Sequence, residues 1–275
     1  EAVNDNFIDC IENYIADGIE NDNPYNINDI SLESCYIMSP QAGIGLHQNT
    51  PYNKYVEIEH PGYPAGCVPV AAALVLTHTK WAISYHNITF YCSAITDAIR
   101  KGPKKDIINL KDNPRKIVGG EEHVYTYDEA IDNMAKIIYW IGKDINISHE
   151  LDSQGNPQSK ANSDDVFTLF KEMGLNLQSE FKTYNIEEIA SHITNHCMVY
   201  LRGQDGKKMV AHAWVCDGVQ YCYDKNDESK IINIMIHCDW GWGGQNNGYY
   251  NGSVFNAGNY NFRVTKYFAV KSEVF

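Results

Sequence analysis

The character of the chain changes at Gly66–Ala73, which reads GCVPVAAA. Before it, from about residue 35 to 66, prolines and glycines punctuate a stretch that is typical of a loop. After it, Val, Ala and Leu continue without glycine to about Ile83, and this predicts a buried helix that begins at Cys67. Pro69 fits the first turn of that helix, where a missing N–H group costs nothing.

More helices are predicted further along the chain. Thr126 and Glu129 have the spacing of a capping box, and the apolar periodicity that follows ends at Gly142, which is expected to stop the helix. Two shorter helices are expected to begin at Ser163 and Asn185. Between the first two of these helices, residues 151 to 163 are rich in Ser, Asn, Gln, Gly and Pro and lack periodicity, which predicts a mobile surface loop.

After residue 197 the pattern changes to short aromatic or β-branched runs that turn residues separate. The predicted strands are 198–201, 212–217, 221–223, 231–238, 248–250 and 267–270. Helices followed by antiparallel strands are typical of an α+β domain.

The first 33 or so residues differ from the rest. They are acidic and rich in Asn and Asp, and the apolar residues from Phe7 to Ile15 have the spacing of a short amphipathic helix. Turns are expected over residues 23–29. We interpret residues 1–34 as an attached arm and residues 35–275 as the main domain.

Composition excludes several classes of protein. Of the 275 residues, 44% are hydrophobic and 21% charged, which is ordinary for a globular chain and excludes a disordered, collagenous or coiled-coil one. A net charge of -13 argues against a nucleic-acid-binding surface. No apolar run approaches the ~18 residues of a membrane span. The chain opens with EAVND and shows no signal peptide, so the protein is cytosolic or its leader is not part of this sequence.

The eight cysteines indicate neither a metal site nor a disulfide framework. None forms a CxxC pair, and no Cys/His spacing matches a zinc finger or ribbon. We expect no cofactor and no metal, and we interpret most of the cysteines as buried free thiols. Cys216 and Cys238 lie in predicted strands and could be neighbours.

Three segments can carry chemistry. Cys67 stands where a loop enters a helix, and the helix dipole there stabilises a thiolate, which would lower the thiol pKa and create a nucleophile. His212, in AHAWVCDG (211–218), begins a strand and could act as general base and acid. Asp239, in DWGWGG (239–244), could orient a histidine ring. Each also has a plainer interpretation: helix packing, a structural histidine, and a Gly-rich hairpin with packed tryptophans.

Taken together, these segments resemble the streptopain family of bacterial cysteine peptidases, within the papain clan. The resemblance runs from about Gln48 to near the C-terminus and includes QNTPYN at 48–53, which is similar to the family's Gln-x-x-Pro-Tyr-Asn segment. One departure is Asp239, where the family usually has Asn. Another is the more apolar helix after Cys67, which we interpret as variation within the core.

The resemblance implies a papain-like α+β fold, whose helical half carries the nucleophile and whose antiparallel half carries the histidine. It implies a cysteine endopeptidase in which Cys67 forms a thioester and His212 relays protons. The side chain of Gln48 and the N–H of Cys67 would hold the oxyanion, and Trp240 would shield His212 from water. His237, two residues before Asp239, is then not the catalytic base.

The resemblance further implies a secreted or surface-exposed zymogen, hence an extracytoplasmic location, with residues 1–34 as a propeptide remnant or an extension. The implied partners are protein or peptide substrates, and its own propeptide or a proteinaceous inhibitor. Two alternatives stay open: another papain-clan acyl transferase or amidase, and an inactive binding module on a peptidase scaffold.

Overall fold

The computed structural model describes residues 30–36, 44–103, 117–118, 121–122 and 124–274. Its helices are α1 (Lys54–Glu59), α2 (Cys67–Thr79), α3 (Cys92–Lys101), α4 (Tyr127–Asp144), α5 (Ser163–Glu172) and α6 (Ile186–Thr194). The helix expected from Phe7 to Ile15 and the turns at 23–29 lie outside the described residues. None of the helices in the described part is long and apolar enough to cross a membrane.

The strands lie mostly in the C-terminal half of the chain. They are β1 (Ile30–Tyr36), β2 (Ile83–Tyr85), β3 (Ile88–Phe90), β4 (Ile117–Val118), β5 (Glu121–Glu122), β6 (Ser148–Leu151), β7 (Pro157–Lys160), β8 (Lys182–Thr183), β9 (Cys197–Asp205), β10 (Val210–Asp224), β11 (Asp227–Asp239), β12 (Gly248–Tyr250), β13 (Val254–Ala257) and β14 (Tyr260–Lys271). The main sheet has the order β12-β11-β10-β9-β14-β13, and all of its pairs are antiparallel. This mixed arrangement of helices and antiparallel strands confirms the α+β prediction.

The central strands of the sheet are buried on both faces. In β9, Met198 and Tyr200 pack with the helical half, whereas Val199 and Leu201 pack on the opposite face. This alternation follows from the two-residue period of a strand. Helix α6 covers that opposite face, together with aromatic side chains from β13 and β14. The sheet therefore separates two hydrophobic clusters. Strand ends that lie outside these clusters are available to form a site.

Helix α2 lies in the middle of the helical half, and every residue from Val68 to Thr79 is buried. It ends at Thr79 rather than near Ile83. The capping box at the start of α4 is confirmed, but α4 continues two residues past Gly142. A Cβ at Gly142 would lie 3.5 Å from Pro69 and 3.3 Å from Ile147, so this glycine allows close packing and does not end the helix.

The structure corrects other expectations. Residues 151–163 are not a plain loop: β6 and β7 form a hairpin, closed by a turn at 152–156. Helix α5 is capped by Asn162, and Ser163 is its first residue. Helices α1 and α3 and strand β13 were not predicted; α1 and β13 span only six and four residues, whereas α3 spans ten.

Strand β1 crosses the boundary expected between residues 34 and 35. It pairs antiparallel with the second half of β10, from Ile30 opposite Asp224 to Tyr36 opposite Gly218. Residues 30–34 are therefore joined by main-chain hydrogen bonds to the sheet of the main domain.

Candidate active site

A cleft of about 870 Å³ lies between the helical half and the ends of the inner strands β9, β10 and β14. Cys67 and Val68 line it from the start of α2, and His212 lines it from β10. Most of the remaining lining comes from the β6–β7 hairpin and from the turn between β9 and β10. The fold thus brings Cys67 and His212 to one cavity.

The entry to α2 is fixed by Gly66. Its φ of +91° lies in the region that favours glycine. A Cβ there would approach Ile147 Cδ1 to 2.8 Å and Ser159 Cβ to 3.3 Å. Only a residue without a side chain lets the hairpin pack this closely against the helix start that carries Cys67.

The Cys67 thiol is partly exposed to the cleft but is otherwise enclosed by protein. Burial raises its pKa, and the N–H groups of Ala213, Cys67 and Val68 lower it by less. The expected stabilisation by the helix start is therefore present but is outweighed by desolvation. The Ala213 N–H, next to His212 in the chain, is close enough to the sulfur to lower its pKa. The resting group is therefore a thiol in the same cleft as its candidate base.

The His212 imidazole is buried and oriented by the main chain. Its Nε2 lies 3.0 Å from the backbone carbonyl oxygen of Trp240. Because a carbonyl can only accept, Nε2 carries the hydrogen and donates it. The neutral ring therefore has its lone pair on Nδ1, which is the form that a general base requires.

Four aromatic rings surround this imidazole. The centroids of Trp242, Phe262, Trp240 and Trp214 lie 4.8, 5.4, 5.8 and 6.0 Å from that of His212. Burial among them lowers the pKa of His212 to about 4, against the smaller raising effect of the Trp240 carbonyl. Trp240 is fully buried and stacks on the imidazole within 17° of parallel. The sequence did not indicate Phe262, which lies in β14, outside the segments that carry the family resemblance.

Asp239 is buried, but its carboxylate does not lie where it would orient the His212 ring. Its Oδ1 accepts the N–H of Gly241 at 2.9 Å, and it does not line the cleft. Burial raises its pKa to about 6, and the charge of Asp217 acts in the same direction. The hydrogen bond to the imidazole that we expected from Asp239 is made by the Trp240 carbonyl instead, because the carboxylate folds back onto its own turn. An influence of the Asp239 charge on His212 stays a prediction.

Gln48 lies in a loop that main-chain hydrogen bonds hold near the start of α2. Its carbonyl accepts the Ala65 N–H at 2.6 Å, two residues before Cys67. The carbonyl of Leu46 accepts the Gly243 N–H at 2.9 Å, which ties this loop to the turn that follows Trp240. Gln48 is partly exposed but is not among the residues that line the cleft. Its side-chain role stays a prediction.

The other thiol and imidazole groups among the described side chains lie outside the cleft. His237 forms a buried ion pair with Asp217, whose carboxylate oxygen is 2.5 Å from Nδ1. Burial alone would lower the pKa of His237, but Asp217 raises it overall. The five further cysteines whose side chains are described are buried and free, and Cys216 lies directly opposite Cys238 in the β10–β11 pair. Within the described residues, no group of three His, Cys, Asp or Glu side chains could hold a metal ion.

Comparison with protein families matches residues 46–250 to the Peptidase C10 family. The chain belongs to this family. The match confirms the resemblance to the streptopain family that the sequence motifs suggested. A search of the curated proteins finds no match.

Among solved structures, this C10 peptidase is similar to interpain A, a cysteine protease of Prevotella intermedia in its active form. The TM-score is 0.51 at 19% identity, and the likeness covers 89% of this chain and 97% of interpain A. At that identity the likeness concerns the fold, which is papain-like. By its family the chain is a cysteine-type peptidase, whose substrates are proteins.

Proposed function

We propose that this C10 peptidase is an endopeptidase that cleaves peptide bonds through a thioester on Cys67, with His212 as general base and then general acid. The observation that supports this most is the shared cleft: the Cys67 sulfur lies by the Ala213 N–H, and the adjacent His212 has its lone pair on Nδ1. A nucleophile beside a base whose tautomer is fixed is the arrangement that acyl transfer requires.

The proposed reaction begins with both groups neutral, since burial raises the pKa of Cys67 and lowers that of His212. Nδ1 takes the thiol proton while sulfur attacks the scissile carbonyl carbon. The imidazolium then protonates the leaving amine as the C–N bond breaks, which leaves a thioester. Water, deprotonated by Nδ1, attacks the thioester and releases the carboxylic acid and the thiol.

The oxyanion of each tetrahedral intermediate needs donors near the helix start. We propose the N–H of Cys67 and the side-chain amide of Gln48 for this role. Gln48→Ala should lower kcat by about 10²- to 10³-fold with little change in KM. Asn49→Ala, a neighbouring exposed position, serves as the control and should keep the parental rate. Equal kinetics for both variants would remove Gln48 from the proposed mechanism.

The assignment of nucleophile and base is tested by labelling and by two matched histidine variants. Iodoacetamide at pH 6 should alkylate Cys67 first, with loss of activity in proportion, whereas an inactive scaffold would show slow and uniform labelling. Cys67→Ala should lose peptide hydrolysis and keep its melting temperature. His212→Gln should lose activity too, whereas His237→Gln should keep it in the fraction that folds. A Cys67→Ala variant with near-parental activity would refute the assignment.

We also propose that the enzyme is bacterial, is exported from the cytoplasm and is made as a zymogen, with residues 1–34 as a propeptide remnant or an extension. The support is the C10 family itself, whose members are typically secreted. Cell fractionation and N-terminal sequencing of the active form would test this. Active enzyme confined to the cytoplasm would contradict it.

A further inference from the structure

The charged side chains that line the cleft are mostly basic, although the chain as a whole has a net charge of -13. They are Lys160, Arg202, Lys208 and one acidic residue, Asp152. On a protein with a net negative charge, such a cleft concentrates positive charge at the place where substrate binds.

The one carboxylate in this set is occupied by its own turn. Asp152 Oδ1 accepts the N–H groups of Gln154 and Asn156, each at 2.8 Å, and Oδ2 accepts the Asn156 side-chain amide at 3.1 Å. These donors lower the pKa of Asp152, with those of Asn156 the largest. The carboxylate therefore closes the hairpin and stays ionised, and the three basic side chains outnumber it in the cleft.

Lys208 presents its charge at the cleft surface. Its Nζ lies 4.4 Å from the ring centroid of Tyr260, which also lines the cleft, and donates to the Asn259 carbonyl. The carboxylate that acts on it, Asp205, is buried and accepts the backbone N–H groups of Lys207, Lys208 and Asn261. The acidic partner is thus held inside the turn and the ammonium group lies outside.

Arg202 and Lys160 have carboxylate partners that do not line the cleft. Arg202 Nη1 lies 3.7 Å from Asp164, and Lys160 Nζ lies 2.6 Å from Glu150. All four side chains are more than a third exposed, so water weakens both pairs. Arg202 stands opposite Ala213 in the β9–β10 pair, one residue from the candidate base His212. A guanidinium there can reach a substrate close to the reacting bond.

We propose that this cleft selects substrates with Asp or Glu close to the scissile bond, and that Arg202 and Lys208 are the specificity-determining residues. The inference rests on the proposed function, because it places the reacting bond between Cys67 and His212. A guanidinium binds a carboxylate through two hydrogen bonds, and an ammonium adds a point charge. Like charge would disfavour substrates with Lys or Arg at the same positions.

The test uses pairs of peptides that differ only by Glu or Gln, placed in turn at each of three positions on either side of the cleaved bond. At low salt the parent should hydrolyse the best Glu peptide with a kcat/KM about 3- to 10-fold above its Gln partner. The ratio should approach one at high salt, which screens exposed charges. In the double variant Arg202→Gln/Lys208→Gln the ratio should be near one, because kcat/KM for the Glu peptide loses its advantage over that for the Gln peptide.

Lys207→Gln is the matched control, because it removes the same charge from the same turn but Lys207 does not line the cleft. It should keep the parental ratio. A parental ratio of one at every position, or one that the double variant leaves unchanged, overturns the proposal while cleavage of the Gln peptides leaves the proposed function intact. The Kd values of the Glu and Gln peptides for Cys67→Ala test the specificity separately from the mechanism. Tighter binding of the Glu peptide supports the inference even if the Cys67 mechanism fails because that variant proves active.

Discussion

The Nε2–H group of His212 donates to the backbone carbonyl of Trp240, 3.0 Å away. A main-chain group thus performs the orienting task that is often given to a carboxylate or amide side chain. Because a carbonyl cannot be protonated, this hydrogen bond persists across the pH range in which the peptidase is folded. The tautomer of His212 then depends on the shape of the turn that follows β11.

The first prediction concerns the rings that lower the pKa of His212 to about 4. If neutral His212 is the base, kcat/KM should fall on the acid side with a midpoint near that value. Trp242 is partly exposed and has its ring 4.8 Å from the imidazole. Trp242→Ala should admit water and move the midpoint upward, towards 6.5. Trp140→Ala, which removes a partly exposed ring stacked on His86, should not move it. An unchanged midpoint in Trp242→Ala would show that these rings do not control the base.

The second prediction concerns the buried carboxyl of Asp239. Its pKa is about 6 in the folded chain and 3.8 in the unfolded chain, so folding favours its protonated form. Its contribution to stability is therefore greatest below pH 3.8 and falls as the pH rises to 6, by about 3 kcal/mol in all. Asp239→Asn removes this loss. Urea unfolding should find the variant more stable than the parent at pH 7, with the difference vanishing near pH 4. A difference that does not depend on pH would contradict the buried charge.

The third prediction follows from the hydrogen bond between Asp239 and the Gly241 N–H. Asparagine can keep this bond through its Oδ1, so Asp239→Asn should retain substantial activity. Asp239→Ala loses the bond, and the Trp240 carbonyl is then less well held against His212. Its kcat should fall below that of the asparagine variant. Equal kcat values for alanine, asparagine and parent would show that the carboxylate does not position the turn.

The fourth prediction separates backbone strain from crowding at the entry to α2. Gly66 and Gly62 both have positive φ, but only at Gly66 would a Cβ meet neighbouring atoms. Gly66→Ala should therefore cost about 1–3 kcal/mol more stability than Gly62→Ala and should lower kcat/KM by displacing Cys67. Adding Ile147→Val, which removes the closest atom, should restore part of both losses. Chemical denaturation of the three variants measures this, and equal costs at the two glycines would refute it.

The fifth prediction concerns the β6–β7 hairpin, which lines the cleft. Its turn at 152–156 is exposed and is held mostly by the Asp152 carboxylate. Hydrogen exchange should be faster there than in β9 and should slow when a covalent inhibitor occupies Cys67. If hydrogen exchange in the turn is unchanged after inhibition, the hairpin does not take part in substrate binding.

Sequence reasoning found the parts of the site whose signals are local. Cys67 stands where a loop enters an apolar helix and His212 begins a predicted strand; each signal is weak alone, and the resemblance of the combined motifs to one family made the assignment. The sequence could not reveal the carbonyl of Trp240 as the partner of His212, since every residue has a carbonyl and only the fold decides which one approaches the ring. The hairpin at 148–160 was missed because its strands are polar on both faces and lack the alternation that marks a half-buried strand.

The direction of the pKa shift of Cys67 also could not be predicted from the sequence. The helix start does lower the pKa, as the sequence indicated, but the amount of water that reaches the sulfur depends on Gly66 and on the hairpin packed against it. Desolvation of the sulfur depends on all the elements that enclose the cleft, and it raises the pKa of Cys67 by more than the helix start lowers it.

The most direct test of the central claim is to trap the acyl-enzyme. The peptidase is mixed with a peptide ester, quenched in acid within milliseconds to seconds, digested and examined by mass spectrometry. We expect an added acyl mass on the peptide that contains Cys67, lost on treatment with hydroxylamine and absent from Cys67→Ala. Turnover of the ester with no acyl group on Cys67, or with the group on another residue, would contradict it.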